Sequence, residues 1–514
     1  MTLRRRSISV MAVVALGLSA AAAAPAYADR PGPSGDPYDL PKKVKVQNVT
    51  KHLQALQDIA DANDGNRAAG SPGYDASAKY VEDTLHKAGY ETTRQPFSFT
   101  YQETLETKLA ETSPNARDLA HTPMSYSPST PDAGISADLA APTQIQGCDA
   151  AAYSGADVTG KIVLVQRGTC SFGEKSLAGA AAGAAAVLIY NNTEGELNGT
   201  LGEVGPAYVP TTGLTQAEGQ KLADELAAGP VQMTFLLRQL IEERTSFNVI
   251  AETADGDPNN VVMLGAHLDG VQEGPGINDN GSGSAAILET AVQLGKQRRQ
   301  NVPLNNKVRF AWWSAEELGL VGSTHYVNDL VENKPDEIGK LATYLNFDMI
   351  ASPNYTIGVY DADESTFPAP VEVPEGSVAA EKIFTDWFDS KKQPWVDSEF
   401  SGRSDYEAFI QNGVASTGLF TGAEVLKTEE EAKMFGGQAG VALDPNYHAE
   451  GDDITNINLR ALDINTDALA HAAGLLAHDT SLINGKKPAD QGKGKHNKKA
   501  KKVDKVVPHD QEAA

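Results

Sequence analysis

Five side chains of metal-ligand type stand in order along the second half of this 514-residue chain: His267, Asp279, Glu317, Asp348 and His448. They are spread over 182 residues, and each closes an apolar run that reads as a strand or sits in the loop after one. Two imidazoles and three carboxylates are too many donors for one tetrahedral ion that keeps a water position. They suit two zinc ions sharing one bridging carboxylate. Glu316 directly precedes Glu317. A further carboxylate in that place is what water needs to lose a proton and become a nucleophile, so the chemistry on offer is metal-assisted attack by water.

The local contexts support this reading unequally. His267 ends the run Val261-Val-Met-Leu-Gly-Ala, and Asp269 lies two residues on, where a carboxylate can hold the ring in the tautomer a metal requires. The stretch from Gly276 to Ser284, Gly-Ile-Asn-Asp-Asn-Gly-Ser-Gly-Ser, is a glycine-rich turn into a helix. Alone it reads as a plain helix start capped by Ser282 or Ser284. Between a strand-end histidine and a Glu-Glu pair, its Asp279 reads as a ligand. Arg309-Phe-Ala-Trp-Trp-Ser-Ala runs straight into Glu316 and Glu317, whose repulsion a cation would offset; a solvated acidic pair opening a helix is the competing reading. Tyr344-Leu-Asn-Phe leads to Asp348, and Asn446-Tyr447 leads to His448 and an acidic loop. Most of the ten histidines are expected at the surface; His52, His86, His325, His471 and His478 lie in helical contexts without ligand spacing.

Residues 46–90 carry apolar side chains at helical spacing, ended by Gly89. From about Ser246 short apolar runs alternate with helical segments. That pattern predicts an α/β fold with a mostly parallel central sheet and helices on both faces. Ligands of such sheets bind at the carboxyl ends of the strands, which is where all five candidates fall. Between them, residues 116–235 are rich in Ala, Gly, Pro and Thr. Strands at Lys161–Arg167 and Ala185–Tyr190 flank a helix there, a small module without a catalytic-looking cluster.

The flanks and the charge set the bounds. Arg4, Arg5 and Arg6, an apolar stretch and Ala26-Tyr-Ala28 make a signal peptide cleaved near Ala28, so a secreted protein without stable membrane insertion is expected. Residues 485–514 form a lysine-rich tail too poor in apolar side chains to fold. The formal charge of −25 becomes about −35 once the signal arginines and this tail are set aside, which excludes nucleic acid as a partner. Cys148 and Cys170 are the two cysteines. In an exported chain an even pair reads as one disulfide, with two free buried thiols as the alternative. A monomer is expected.

Taken together, these residues resemble a known family, the co-catalytic zinc aminopeptidases secreted by bacteria. The resemblance rests on Gly65-Asn-Arg-Ala-Ala-Gly-Ser-Pro-Gly-Tyr, His267-Leu-Asp269, Asn278-Asp279-Asn280, Glu316-Glu317-Leu-Gly, Asn346-Phe-Asp348-Met349, Ser401-Gly-Arg403-Ser-Asp and Tyr447-His448, in that order. The module resembles a protease-associated domain, through Gly160–Phe172 and Ala181–Asn191. The organisation implied is a signal peptide at 1–28, a peptidase of the zinc-dependent exopeptidase fold at 41–115 and 241–484, the inserted domain at 116–240 and the tail at 485–514.

The resemblance also implies roles. Asp279 bridges two zinc ions through a strained peptide to Asn280; His267 and Asp348 complete one site, Glu317 and His448 the other. Glu316 is the general base, Tyr447 donates a hydrogen bond to the developing oxyanion, and Arg403 contacts substrate. Met349 and Phe420 line an apolar pocket for the first side chain of a peptide with a free N-terminus. Some members hold a structural calcium partly through two aspartates of the last helix. Asp463 and Asp467 match these, but Lys43 stands at the N-terminal partner position, which argues against Ca2+ here. A carboxypeptidase or one-zinc glutaminyl cyclase of the same fold, or a receptor-like relative without catalysis, are the competing readings. Neither His-Glu-x-x-His nor Gly-x-Ser-x-Gly occurs, so thermolysin-like and serine-hydrolase mechanisms lack their parts.

Overall fold

The computed structural model describes residues 39–299 and 302–487; the expected signal peptide and residues 488–514 of the tail lie outside the described residues. Two amphipathic helices, α1 (Val46–Asp61) and α2 (Pro72–Ala88), come first. Val49, Leu53 and Leu56 on α1, and Tyr74, Ala78, Val81 and Leu85 on α2, are buried at the three- and four-residue spacing that makes one stripe. Ser71 caps α2 by accepting from the Tyr74 N–H, and Gly89 ends it at φ 93°. The strand β1 (Thr92–Ser113) leads into the inserted segment, with β2 (Ile135–Ala140), β3 (Ile162–Gln166), α3 (Phe172–Ala181), β4 (Ala186–Tyr190), β5 (Thr211–Leu214) and α4 (Gln216–Ala228). Then follow β6 (Gln232–Glu252), β7 (Asp257–His267), α5 (Gly283–Arg299), β8 (Asn306–Trp313), α6 (Val321–Asn333), β9 (Leu341–Phe347), β10 (Gly358–Tyr360), α7 (Ser377–Lys391), β11 (Val396–Ser398), β12 (Ser416–Phe420) and α8 (Leu459–Leu476).

The body of the sheet runs β11-β10-β12-β9-β7-β8-β6. Its centre, β12-β9-β7-β8, is parallel, with Leu264 of β7 in register between Leu345 and Phe310. Side-chain alternation splits the apolar run of β7 between two cores. Val262 and Leu264 pack with α1, α2, α5, α7 and α8, whereas Val261 and Met263 pack with α6. Both faces are therefore covered, as uniformly apolar strands require.

The outer strands depart from the parallel pattern. β6 is antiparallel to β8 and β10 to β12. Where the sequence shows a short strand at Phe247–Ala251, β6 is 21 residues long and pairs with β1 from Thr92 opposite Ala251 to Ser113 opposite Gln232. The middle of this ribbon, including Glu106, Glu242 and Glu243, is polar and exposed, so it carries no hydrophobic periodicity. Main-chain hydrogen bonds across an antiparallel pair need none. The far end of the ribbon bears the inserted segment. There β2, β3, β4 and β5 are parallel neighbours, and β2 joins β6 through Ile135 opposite Phe235. Cys148 and Cys170 are disulfide-bonded beside β3, with Cα atoms 5.9 Å apart.

Two histidines expected at the surface are not there. His52 is buried on α1, where Nδ1 lies 2.6 Å from the Tyr80 hydroxyl and Nε2 3.4 Å from Glu289. His471 stacks on Trp387 with centroids 4.3 Å apart, and burial pushes its pKa down to about 4. Both sit on the inward stripe of a helix, and helical context alone does not say which stripe a residue occupies. For the calcium question, burial and then Asp463 push Asp467 up to about 6, while Lys45 and Lys391 act against this. Among the described residues no third carboxylate, His or Cys joins these two aspartates as a ligand group. Among the described residues, no helix is long and apolar enough to cross a membrane.

Candidate metal centre

Each candidate ligand is delivered by a chain segment leaving the sheet. His267 is the last residue of β7, Asp348 the first after β9, and Glu316 and Glu317 come just after β8. Asp279 lies in the tight turn Ile277–Ser282 that opens α5, and the Asp279–Asn280 peptide is cis. Ser282 and Ser284, the caps in the competing plain-helix reading, do not cap that helix. Ser282 donates to the Asn278 carbonyl and Ser284 to the His267 carbonyl, tying the turn to the end of β7. His448 arrives from the loop between β12 and α8 and is the one exposed member.

The two oxygens of Asp279 face two different imidazoles. Oδ1 is 3.2 Å from His267 Nε2, and Oδ2 is 3.3 Å from His448 Nε2. Asp348 Oδ1 lies 3.3 Å from His267 Nε2, and Glu317 Oε2 lies 2.9 Å from His448 Nε2. Two ligand triangles result, His267–Asp279–Asp348 and Asp279–Glu317–His448, with donor atoms within 4.8 Å of one another. Ligands at about 2.0–2.1 Å around a tetrahedral zinc sit roughly 3.3 Å apart, so these separations fit one ion in each triangle. The Glu317 Oε1 atom is buried with no hydrogen-bond partner, a state that a cation relieves. A third grouping, His267–Glu316–Glu317, is looser, with Glu316 Oε2 3.9 Å from His267 Nε2.

The charges on the centre depend on one another. Burial disfavours the His267 cation, yet Glu316, Asp348 and Asp279 outweigh it and hold its pKa well above the ordinary value. Burial likewise opposes His448, and hydrogen bonds to Asp279 and Glu317 carry it up to about 10. Asp279 is held far below the carboxylate range by the two histidines, against its burial. Burial lifts Glu317 to about 7, with Asp279 adding to it. Burial also lifts Glu316 well above its usual range; His267 opposes this, and Asp348, Asp405 and Glu317 reinforce it. Such a cluster binds either protons or metal ions.

A further layer of residues holds the candidate ligands in place, and most of it was not legible in the sequence. The His267 ring is held by the main chain of Asp269: Nδ1 is 3.0 Å from that carbonyl and 3.8 Å from the carboxylate. The Asp269 carboxylate instead accepts the Glu316 N–H at 3.3 Å, fixing the loop that carries the Glu-Glu pair. Asp452 accepts from the N–H groups of Asn278 and Asp279 at 2.9 and 3.0 Å, and Ser404 donates to Asp348 Oδ2. Arg67 is fully buried and donates to the carbonyls of Leu268, Pro275 and Gly276, clamping the turn before Asp279. Arg67 belongs to the Gly65–Tyr74 motif, and Asp452 to the acidic loop after His448; those were their only signals. Replacing Arg67 by Met should cost about 3–5 kcal/mol, because three buried carbonyls lose their donor and Asp269 and Asp452 lose a nearby cation. Chemical denaturation of the metal-free protein checks this.

A cavity of about 350 Å3 opens beside Asp348 and Glu316. Met349 and Phe420 line it, as the resemblance implies. Arg403 stands at the rim, with Nη1 2.7 Å from Glu424 and Nη2 donating to the Tyr447 hydroxyl at 3.3 Å. The Tyr447 ring stacks on His448, centroids 3.8 Å apart.

Relatives share this arrangement of chain. Peptidase family M28 matches residues 248–473 and the PA domain matches residues 135–222. The chain is 46% identical over 435 residues to leucine aminopeptidase 2 of Trichophyton rubrum, covering 84% of each chain. The chain belongs to peptidase family M28. This family member is a metallo-aminopeptidase with an inserted protease-associated domain. It is 45% identical over 464 residues to an aminopeptidase of Pseudomonas aeruginosa, covering 87% of this chain and 84% of the relative. Among solved structures it is similar to the aminopeptidase from Aneurinibacillus sp. strain AM-1, with a TM-score of 0.68, 28% identity, and coverage of 85% and 95%. It is also similar to BSAP, a zinc aminopeptidase from Bacillus subtilis, with a TM-score of 0.59, 25% identity, and coverage of 84% and 94%.

Proposed function

We propose that this metallo-aminopeptidase binds two zinc ions, is secreted, and releases apolar, leucine-like residues one at a time from peptides with a free N-terminus. The observation that carries this reading is Asp279, whose two oxygens face two separate imidazoles, each with a further carboxylate of its own. His267, Asp279 and Asp348 would hold one ion; Asp279, Glu317 and His448 would hold the other. When bound, the ions polarise the scissile carbonyl and make the attacking water more acidic. One chain supplies every one of these residues, in keeping with a monomer. The same reading divides the chain into a peptidase body, residues 41–115 and 241–484, and an insert, residues 116–240.

The remaining roles fall to the protein itself. Glu316 takes the proton of the attacking water and returns it to the nitrogen of the leaving amine. The Tyr447 hydroxyl donates to the oxygen on which negative charge develops, and Arg403 keeps that hydroxyl in place. Glu316 and Asp348 crowd the mouth of the apolar cavity, where a free ammonium group is attracted. Met349 and Phe420 take up the adjacent side chain. Matching the fungal leucine aminopeptidases over 84% of the chain favours leucine there.

The test compares a leucyl peptide with its N-acetylated twin. The free peptide should be cleaved with kcat/KM at least about a hundredfold higher, since acetylation removes the charge that the carboxylates attract. Equal cleavage of the two, or release from the C-terminus, would show that the ammonium is not the recognised group.

A further inference from the structure

A second opening reaches the candidate metal centre. It is a cleft of about 550 Å3 lined by Glu317 and His448, and the apolar cavity is lined by Asp279, Glu316, Glu317 and Asp348. The two openings therefore meet at Glu317, and His448 lines the cleft but not the cavity. For a peptide whose first residue fills the apolar cavity and whose first carbonyl lies over the centre, this cleft is the adjoining space for the residues that follow.

The walls of the cleft come from two segments far apart in sequence. One is the ribbon strand β1, through Tyr101, Glu103 and their neighbours; the other is the loop after β7, through Gln272 and Glu273. The Tyr101 hydroxyl donates to Glu103 Oε2 at 3.0 Å and accepts from Gln272 Nε2, so the ribbon and the loop are tied together. Among the described residues no lysine or arginine lines the cleft. Arg244 lies over the Tyr101 ring, 3.3 Å from its centroid, but its Nε is bonded to Glu242 and it is not part of the wall. Asp269 and Glu317 also line the cleft and belong to the centre. Glu103 and Glu273 are the wall carboxylates that the centre does not use.

We propose that this cleft receives the leaving part of the peptide and selects a lysine or arginine in the first two residues after the scissile bond, through Glu103 and Glu273. The inference rests on the aminopeptidase reading above and adds to it a specificity set by the ribbon that carries the inserted domain. One half-buried and one exposed carboxylate attract a cationic side chain and repel an anionic one, a difference of about tenfold at low ionic strength that shrinks as salt screens it.

The experiment uses the full-length, zinc-loaded protein and the peptides Leu-Lys-Ala, Leu-Ala-Ala and Leu-Glu-Ala. Leu-Lys-Ala should exceed Leu-Glu-Ala by about tenfold in kcat/KM, chiefly through KM, and the ratio should fall by half or more at about 0.5 M salt. In the double variant Glu103→Gln, Glu273→Gln the ratio should come within about twofold of unity. Should that variant not fold, Glu273→Gln alone, on an exposed loop, should lower the ratio about threefold. Equal cleavage of the three peptides by the unaltered enzyme overturns the subsite and leaves the aminopeptidase reading standing, as does a ratio unmoved by the substitutions. Failure to release leucine from any of them overturns both.

Discussion

Replacing Glu316 by Gln is expected to lower kcat by at least about a hundredfold, or roughly 2.7 kcal/mol of barrier, while the zinc content stays near two per chain. Glutamine has the size and shape of glutamate, so the buried position opens no cavity, and the Glu316 N–H keeps its bond to Asp269. Lost is the carboxylate proposed to accept and return the proton, which belongs to neither of the two tighter triangles. The distances support that division: Asp348 lies 3.3 Å from His267 Nε2 and Glu316 lies 3.9 Å away. Steady-state kinetics with leucyl-p-nitroanilide and elemental analysis of the same preparation check the result. Loss of zinc in this variant would mean that Glu316 is a ligand and that the roles of Glu316 and Glu317 are exchanged.

Asp279→Asn should have the other large effect, and its signature is different. A bridging carboxylate offers one anionic oxygen to each ion, whereas a carboxamide offers one neutral oxygen and an NH2 group that cannot ligate. Both sites should weaken together, so dialysed protein should retain well under one zinc per chain. Activity should fall by more than about a hundredfold, beyond the 10–100-fold that loss of an orienting residue typically costs. His448→Ala provides the contrast, because it removes a ligand from one triangle and should leave about one zinc bound. Two zinc ions retained by Asp279→Asn would show that Asp279 does not bridge. Retention of the second ion by His448→Ala would show that the exposed imidazole is dispensable.

The sequence by itself determined the candidate ligand types, their order and their positions relative to the strands. This follows from the physics of a parallel sheet, whose strands bury both faces and read as apolar runs, so that a polar residue at the end of a run is conspicuous. His267, Glu316–Glu317 and Asp348 were legible for that reason. Their number led to the expectation of two ions, because the donors outnumber what one open tetrahedral site can use. The disulfide was legible as the better of two readings of a lone cysteine pair.

Only the tertiary structure decided what depends on the folded main chain. It is a carbonyl, not the Asp269 carboxylate, that orients the His267 ring, and carbonyls carry no sequence signal. Arg67, Ser404 and Asp452 act through backbone groups or single hydrogen bonds from distant segments, which no periodicity announces. The burial of His52 depends on the rotation of α1 about its axis, set by packing against its neighbours. The ribbon was hidden because main-chain pairing holds it together where its side chains are exposed and charged. That ribbon brings Tyr101 and Glu103 to the metal centre across more than 160 residues of chain, where they meet Gln272 and Glu273. Proximity of that kind is created by the fold alone, because residues so far apart in sequence share no local pattern from which their contact could be read.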